Sequence, residues 1–227
     1  VQNSGTNITT NSTTGTASLT GIAAQKGLVC LFTKGNSDTA AVSTVTDTQG
    51  NTWTRAAGTD SALNSRRVDM WFTNSSASGS ITVTVTLGNA SQFRVEIIEL
   101  SKYVAVDASG TNSNSSNTNT FNCAASTALD TIANTILISA VALNSSVTSF
   151  AAGSGFTLIS SNPSTSPNNV HGTQSGQFEA AQTDNRCAIT TTGTTRQGPG
   201  ICASFKEATP PSIFPRRRRE SQRSQAL

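Results

Sequence analysis

The stretch "ITVTVTL" at residues 81–87 alternates Ile81, Val83, Val85 and Leu87 with Thr82, Thr84 and Thr86. Successive side chains of a strand leave opposite faces, so this spacing builds one apolar face and one hydroxyl face. On a helix the same residues would scatter around the axis. The alternation returns in "QFRVEII" (92–98), with Phe93, Val95 and Ile97 set against Gln92, Arg94 and Glu96. Further strands are predicted for "GLVCLFTK" (27–34), "NTWTRAA" (51–57), "RVDMWFT" (67–73), "NTILISAVAL" (134–143), "GFTLISS" (155–161), "RCAITTTG" (186–193) and "GICASFK" (200–206). Gly, Asn, Asp and Ser clusters punctuate them, and "DTQGN" (47–51) reads as a tight turn. No segment sustains a helical period. The expectation is an all-β protein, an antiparallel two-sheet sandwich of jelly-roll or immunoglobulin-like type.

The chain also repeats itself. "GLVCLFTK…VSTVTDTQGNTWTR" is echoed by "NTILISAVA…VTSFAAGSGFTLIS", and "ITVTVTLGNASQFRVEIIELSK" by "CAITTTGTTRQGPGICASFKE". Each half supplies about four predicted strands, too few to bury both faces alone. The economical organisation is one sandwich domain over residues 1–209, built of two related halves, with a polar N-terminal extension. The hydroxyl- and amide-rich "TNSNSSNTNT" (111–120) is expected to cross between the halves, and residues 210–227 form a Pro/Arg-rich tail.

Taken in order, "VTDTQGNTWT", "MWFTN", "ITVTV", "AGSGFTLI" and "ASFK" resemble an uncharacterised β-sandwich family. Its members occur in secreted proteins of soil bacteria and in some phage structural proteins. The resemblance covers roughly residues 1–207. It implies a jelly-roll or immunoglobulin-like sandwich and an extracellular or virion setting, and it brings no catalytic motif.

Charged residues make up 12% of the chain, about half the ~25% usual in globular domains. Ser, Thr, Asn and Gly solvate the surface instead, as in secreted β-proteins. Residues 216–227 carry five of the 15 basic groups and one of the 12 acidic ones, so the tail is +4 and the other 215 residues sum to −1. The body therefore exerts no net pull on nucleic acid or anionic lipid, and no apolar run is long enough to span a membrane. Val1 in place of an initiator methionine fits a processed or trimmed chain.

Four spaced cysteines without a C-x-x-C pair, beside a single histidine, point to disulfides rather than zinc. Cys30 and Cys202 lie in apolar strands of opposite halves, and Cys123 and Cys187 each open a strand in the second. The expected pairs are Cys30–Cys202 and Cys123–Cys187. Sequons stand at Asn7, Asn11, Asn74, Asn89, Asn114 and Asn144 as possible glycosylation sites, a number that so Asn-, Ser- and Thr-rich a chain reaches by chance.

Catalysis finds little support. His171 sits in the polar "SPNNVHGTQSG" and reads as an exposed loop residue. No G-x-S-x-G turn is present. Glu96 and Glu99, three apart on one strand, face opposite sides, and Asp69 and Glu179 pair as a dyad only if the two halves bring them together. "DTQGN" lacks the spaced carboxylates of a calcium loop. No enzyme activity, metal or cofactor is expected. Trp53 reads as core. Trp71 shares a strand face with Asp69 and Thr73, opposite Val68, Met70 and Phe72; it is either a candidate outward residue for a sugar ring or a subunit interface, or buried under a loop or the tail.

The function expected is a non-enzymatic structural or adhesive β-sandwich, extracellular, secreted or on a virion surface, that assembles with copies of itself or a surface partner. The alternatives are a carbohydrate-binding module using Trp71 and a capsid protein whose arginine tail contacts nucleic acid. In the tail, Ile213 and Phe214 are candidate apolar anchors ahead of Arg216, Arg217, Arg218 and Arg219. Exposed ion pairs contribute roughly 0–1 kcal/mol each, and burying an anchor contributes about 1.5–3 kcal/mol. Phe214→Ala is therefore expected to weaken assembly more than Arg217→Ala, measured by light scattering at low and high salt. Nucleic-acid binding reverses that order.

Overall fold

A computed structural model describes residues 3–34, 40–58, 63, 66–102, 104–124, 129–163 and 170–209. Every helix or strand among them is a strand, and every pairing is antiparallel. The first half holds β1 (Asn3–Ile22), β2 (Gly27–Lys34), β3 (Val42–Asp47), β4 (Thr54–Gly58), β5 (Arg67–Asn74) and β6 (Gly79–Glu99). The second holds β7 (Val104–Thr118), β8 (Thr120–Phe121), β9 (Leu129–Thr131), β10 (Thr135–Leu143), β11 (Ser149–Ala151), β12 (Thr157–Asn162), β13 (Val170–Phe178), β14 (Gln182–Asn185), β15 (Ile189–Thr192) and β16 (Arg196–Glu207).

β1 and β6 run for 20 and 21 residues. At about 3.3 Å per residue, a straight ribbon of that length would overshoot the core. It bends instead. The register shifts between Thr9 and Ser12 and again before Thr14, Asn11 takes a φ of 49°, and Gly88, Asn89 and Ala90 are exposed. The first part of β6 then lies over its last part. Ile81, Val83, Val85 and Leu87 share one core cluster with Phe93, Val95 and Ile97.

The first central sheet has the order β1-β6-β2-β5-β4, and the second has the order β7-β16-β10-β13-β12. β2 is buried along its whole length. Leu28, Cys30 and Phe32 enter the first cluster, and Val29 and Leu31 enter a second. β10 divides likewise: Ile136, Ile138, Ala140 and Ala142 join the second cluster, and Leu137, Val141 and Leu143 a third. The second cluster therefore lies between the two central sheets, which form the expected sandwich. Each sheet is covered again on its outer side, by β3 with the folded-over parts of β1 and β6, and by β8, β11 and β15. The result is four layers, one pair per half.

The halves match in their central and outer strands, and the small β14-β9 sheet belongs to the second half alone. The outer order β11-β15-β8 reproduces β3, the start of β6 and the end of β1. Bulges interrupt the edge strands at corresponding places, between Arg55 and Ala57 and between Leu158 and Ser160. β4 lies against β7 and β5 against β16, while Ser160 of β12 reaches Glu96 of β6. The two sheets thus stack about a pseudo-twofold axis. Arg66 ties the halves together, donating from Nε and Nη2 to the carbonyls of Leu143 and Asn144 at 3.1 Å each.

Two expectations about organisation are corrected. The polar N-terminus is not an extension outside the sheets but edge strand β1. "TNSNSSNTNT" is not the crossing between halves. It forms the second half of β7 and leads into β8, and the chain passes from one half to the other between Glu99, which ends β6, and Val104, which opens β7. Side-chain amides make this polar run structural. Asn114 accepts from Asn122 N at 3.2 Å and donates to the carbonyls of Asn122 and Gly198 at 3.2 and 3.1 Å.

"DTQGN" is the turn expected, and Asp47 organises it. Its Oδ1 accepts from Gln49 N at 2.7 Å and Asn51 N at 3.3 Å, and its Oδ2 accepts from Asn51 Nδ2 at 3.0 Å and Trp53 Nε1 at 2.6 Å. Gly50, at φ 70°, supplies the left-handed residue. The same carboxylate closes the turn and fixes Trp53, buried in the first cluster. Asp47→Ala leaves that indole N–H without its acceptor and is expected to lower the unfolding free energy by ~2–4 kcal/mol in urea denaturation.

Candidate functional site

Alternation along β5 sends Val68, Met70 and Phe72 toward the second cluster and Arg67, Asp69, Trp71 and Thr73 to the opposite face. The sequence reading left Trp71 on that second face either outward or covered by a loop or the tail. The outer layer covers the face, and Trp71 is half-buried against the first cluster. The cover stops short of the β5–β4 margin. A cavity of about 230 Å³ remains there, lined by Ala41, Val42, Arg55, Arg67, Asp69 and Trp71. Thr73 is buried farther along the strand, outside that lining.

Cross-strand pairing assembles the charges. Arg55 of β4 stands opposite Trp71, and Gly58 opposite Asp69. The Arg55 guanidinium donates from both Nε, at 2.9 Å, and Nη2 to Asp69 Oδ1. Arg67 Nε lies 3.6 Å from Asp69 Oδ2. Gly58 permits this approach, because a Cβ there would run into the Arg55 guanidinium and the Asp69 carboxylate. The Asp69 side chain is 3% exposed, Arg67 13% and Arg55 36%, so the cations form the outer rim of the group. Trp71 Nε1 is buried without a hydrogen-bond partner. Two guanidiniums against one carboxylate give the lining a net charge of +1.

Buried Lys34 stands opposite Arg67 on the same face, whereas the other carboxylates and the histidine weighed in the sequence lie apart from the group. Glu96 and Glu99 do face opposite sides of β6: Glu99 Oε1 accepts from Ala23 N at 3.0 Å, and Glu96 points between the central sheets. Asp69 and Glu179 form no dyad, for Glu179 is exposed beyond the end of β13 in the other half. His171 is not an exposed loop residue. It is 1% exposed, on β13 opposite Ala142, and faces the second cluster. No group of three or more His, Cys, Asp or Glu suited to a metal occurs among the described residues. Ile213, Phe214 and Arg216–Arg219 lie outside the described residues.

Both expected disulfide pairings are corrected. The bond joins Cys187 to Cys202, with Cα atoms 6.3 Å apart, and Cys30 and Cys123 are buried thiols. Cys30 and Cys202 cannot meet, because each points outward from its own central sheet, into the first and third clusters. Cys123, Cys187 and Cys202 share the third cluster, so the right region was found but not the right partner. Burial pushes the Cys123 thiol up to about 12 against the opposing Ser139 hydroxyl, and it raises Cys30 further, with Glu96 adding. Neither thiol is a nucleophile at neutral pH. Among the sequons, Asn11 and Asn89 are exposed at the ribbon bend, whereas Asn74, Asn114 and Asn144 use their side chains in backbone hydrogen bonds.

Sequence reasoning missed a buried polar group between the central sheets. Arg94 Nη2 and Glu96 Oε1 lie 3.8 Å apart, and Ser160 Oγ donates to Glu96 Oε2 at 2.9 Å across the interface. Arg94 Nε and Thr33 Oγ1 are buried there without hydrogen-bond partners. The alternation in "QFRVEII" set Arg94 and Glu96 on the face opposite Phe93, Val95 and Ile97, with nothing to show that this face is also covered.

No helix among the described residues is long and apolar enough to cross a membrane. No family model, curated protein or solved structure matches the chain.

Burial raises the Glu96 carboxyl above its ordinary value, against the opposing Arg94 charge and the Ser160 and Thr173 hydroxyls. A carboxyl raised in the fold contributes stability below its unfolded value, near 4.5, and loses it as pH rises through the folded value. Glu96→Gln does not titrate. Its stability relative to the parent is expected to grow between about pH 4 and pH 8, measured by urea denaturation across that range. A constant difference refutes the assignment.

Proposed function

We propose that this protein is a non-catalytic structural or adhesive β-sandwich, extracellular or on a virion surface, that assembles with copies of itself through sheet edges. The observation that carries the reading is the contrast between edges. β4 and β12 end one side of each central sheet and are interrupted by bulges, which hinder strand addition. On the other side of the second sheet stands β7, 15 residues long, which has a register shift toward each end but pairs with β16 without interruption from Ala108 to Asn114. A long strand with one open edge is a template for backbone pairing.

Two further features support it. Among the described residues Ile132 is the exposed large hydrophobic side chain, so an interface would rest on hydrogen bonds rather than on an apolar patch. The Cys187–Cys202 disulfide suits an oxidising compartment.

The pairing pattern selects a variant. Asn144 N donates to Gln197 O, so Gln197 and every second residue onward in β16, Pro199 included, turn their backbone groups toward β10. Ser113, opposite Pro199, therefore turns its N–H away from β16, to the open edge of β7. Ser113→Pro removes that donor without removing a ladder bond inside the sheet. The parent is expected to show concentration-dependent assembly in size-exclusion chromatography with light scattering, and the variant to shift toward monomer with an unchanged far-UV spectrum. A monomeric parent, or equal assembly of the two, overturns the reading.

A further inference from the structure

The two halves provide an internal control for the cavity beside Trp71. Carrying register and face from one half to the other sets Arg55 against Leu158, Arg67 against Val170, Asp69 against Gly172 and Trp71 against Gln174. In the second half this place is filled. The Phe150 ring of β11 lies where a Cβ on Gly172 would go. Gln174 accepts from Gly153 N at 2.8 Å and donates to the carbonyls of Cys187 and Ala188 at 3.3 and 3.1 Å. Leu158 packs on the third cluster. The same strands in the same order thus close over apolar groups and a satisfied amide. The charges of the first half are not something this scaffold requires, and burying them is costly unless something is gained.

We infer that the cavity lined by Arg55, Arg67, Asp69 and Trp71 binds a single hexuronic acid residue, the acidic sugar of an anionic polysaccharide. Asp69 holds the two guanidiniums side by side. A guanidinium is the side chain that matches a carboxylate with parallel N–H donors. The Trp71 indole, packed on the core and lining the cavity, offers an apolar face and a polar edge suited to a pyranose ring. The volume, about 230 Å³, falls below the ~300–1,000 Å³ of sites that enclose drug-sized ligands and fits one ring. The net positive lining selects the acid over the neutral sugar.

This inference does not depend on edge assembly, and its test uses the full chain carrying Ser113→Pro beside the parent. Methyl β-D-glucuronide is titrated against methyl β-D-glucoside and sodium acetate, followed by tryptophan fluorescence and ligand-observed NMR. The glucuronide is expected to bind at least about tenfold more tightly than either control, equally in both chains, and to weaken as salt rises. Arg55→Gln, on the exposed rim of an edge strand, is expected to lower that affinity about tenfold. Arg67→Lys, which keeps the charge and loses the fork, is expected to lower it as well. Absence of glucuronide binding, equal binding of the glucoside or of acetate, or full affinity in both arginine variants overturns the inference.

Discussion

Two strands that never reach solvent on either face set the terms for the rest of the chain. β2 and β10 each present one row of apolar side chains to the other half and one row outward. A sheet with both faces apolar must be covered twice. The inner faces are covered by each other, which fixes the two halves back to back. The outer faces need a further layer, and that requirement explains the 20- and 21-residue strands of the first half. A ribbon that long can turn a corner and roof its own sheet. In the second half the corresponding strands are interrupted at the corner, and β8 and β15 do the covering as separate pieces.

Much of this was legible, and what was not has a physical reason. "GLVCLFTK" was placed residue for residue, because its unbroken apolar run from Leu28 to Phe32 is flanked by Gly27 and by the polar Thr33 and Lys34. The internal repeat was visible, and strand order bears it out. The long strands β1, β7 and β13 were not predicted, nor were the shorter β3, β8, β9, β11 and β14. β1 and β7 are edge strands rich in hydroxyls and amides, whose composition is that of a linker. β13, "VHGTQSGQF", is largely buried yet nearly devoid of large apolar residues. Its glycines make room for neighbouring aromatic rings, and Gln174 is satisfied by backbone, so neither hydrophobicity nor alternation announces it.

The site was legible in its parts but not in its setting. Trp71 and Asp69 were singled out because they share a face, and that much is correct. That the face is covered, that Arg55 and Arg67 complete the group, and that Thr73 does not belong to it all follow from cross-strand register and from the outer layer. A single sequence carries no direct signal of either. The same blindness hid the Arg94–Glu96 pair: alternation assigns residues to two faces, but it does not say how many of those faces are wet.

Each half is closed by its own ends. Asn3 pairs with Glu99, and Val104 pairs with Glu207, so in both halves the first strand waits for the last. Contacts this distant in sequence are slow to form. During synthesis the first half can complete its ladder once β6 has left the ribosome. It would then present Val29, Leu31, Met70 and Ile98, all destined for the second cluster, as a bare apolar face. That face stays uncovered until roughly a hundred further residues have emerged. The nascent chain therefore passes through a stage in which a finished half-molecule is sticky on one side. Its correct partner is the sheet still being made, and the first half of any neighbouring chain at the same stage competes for the same surface.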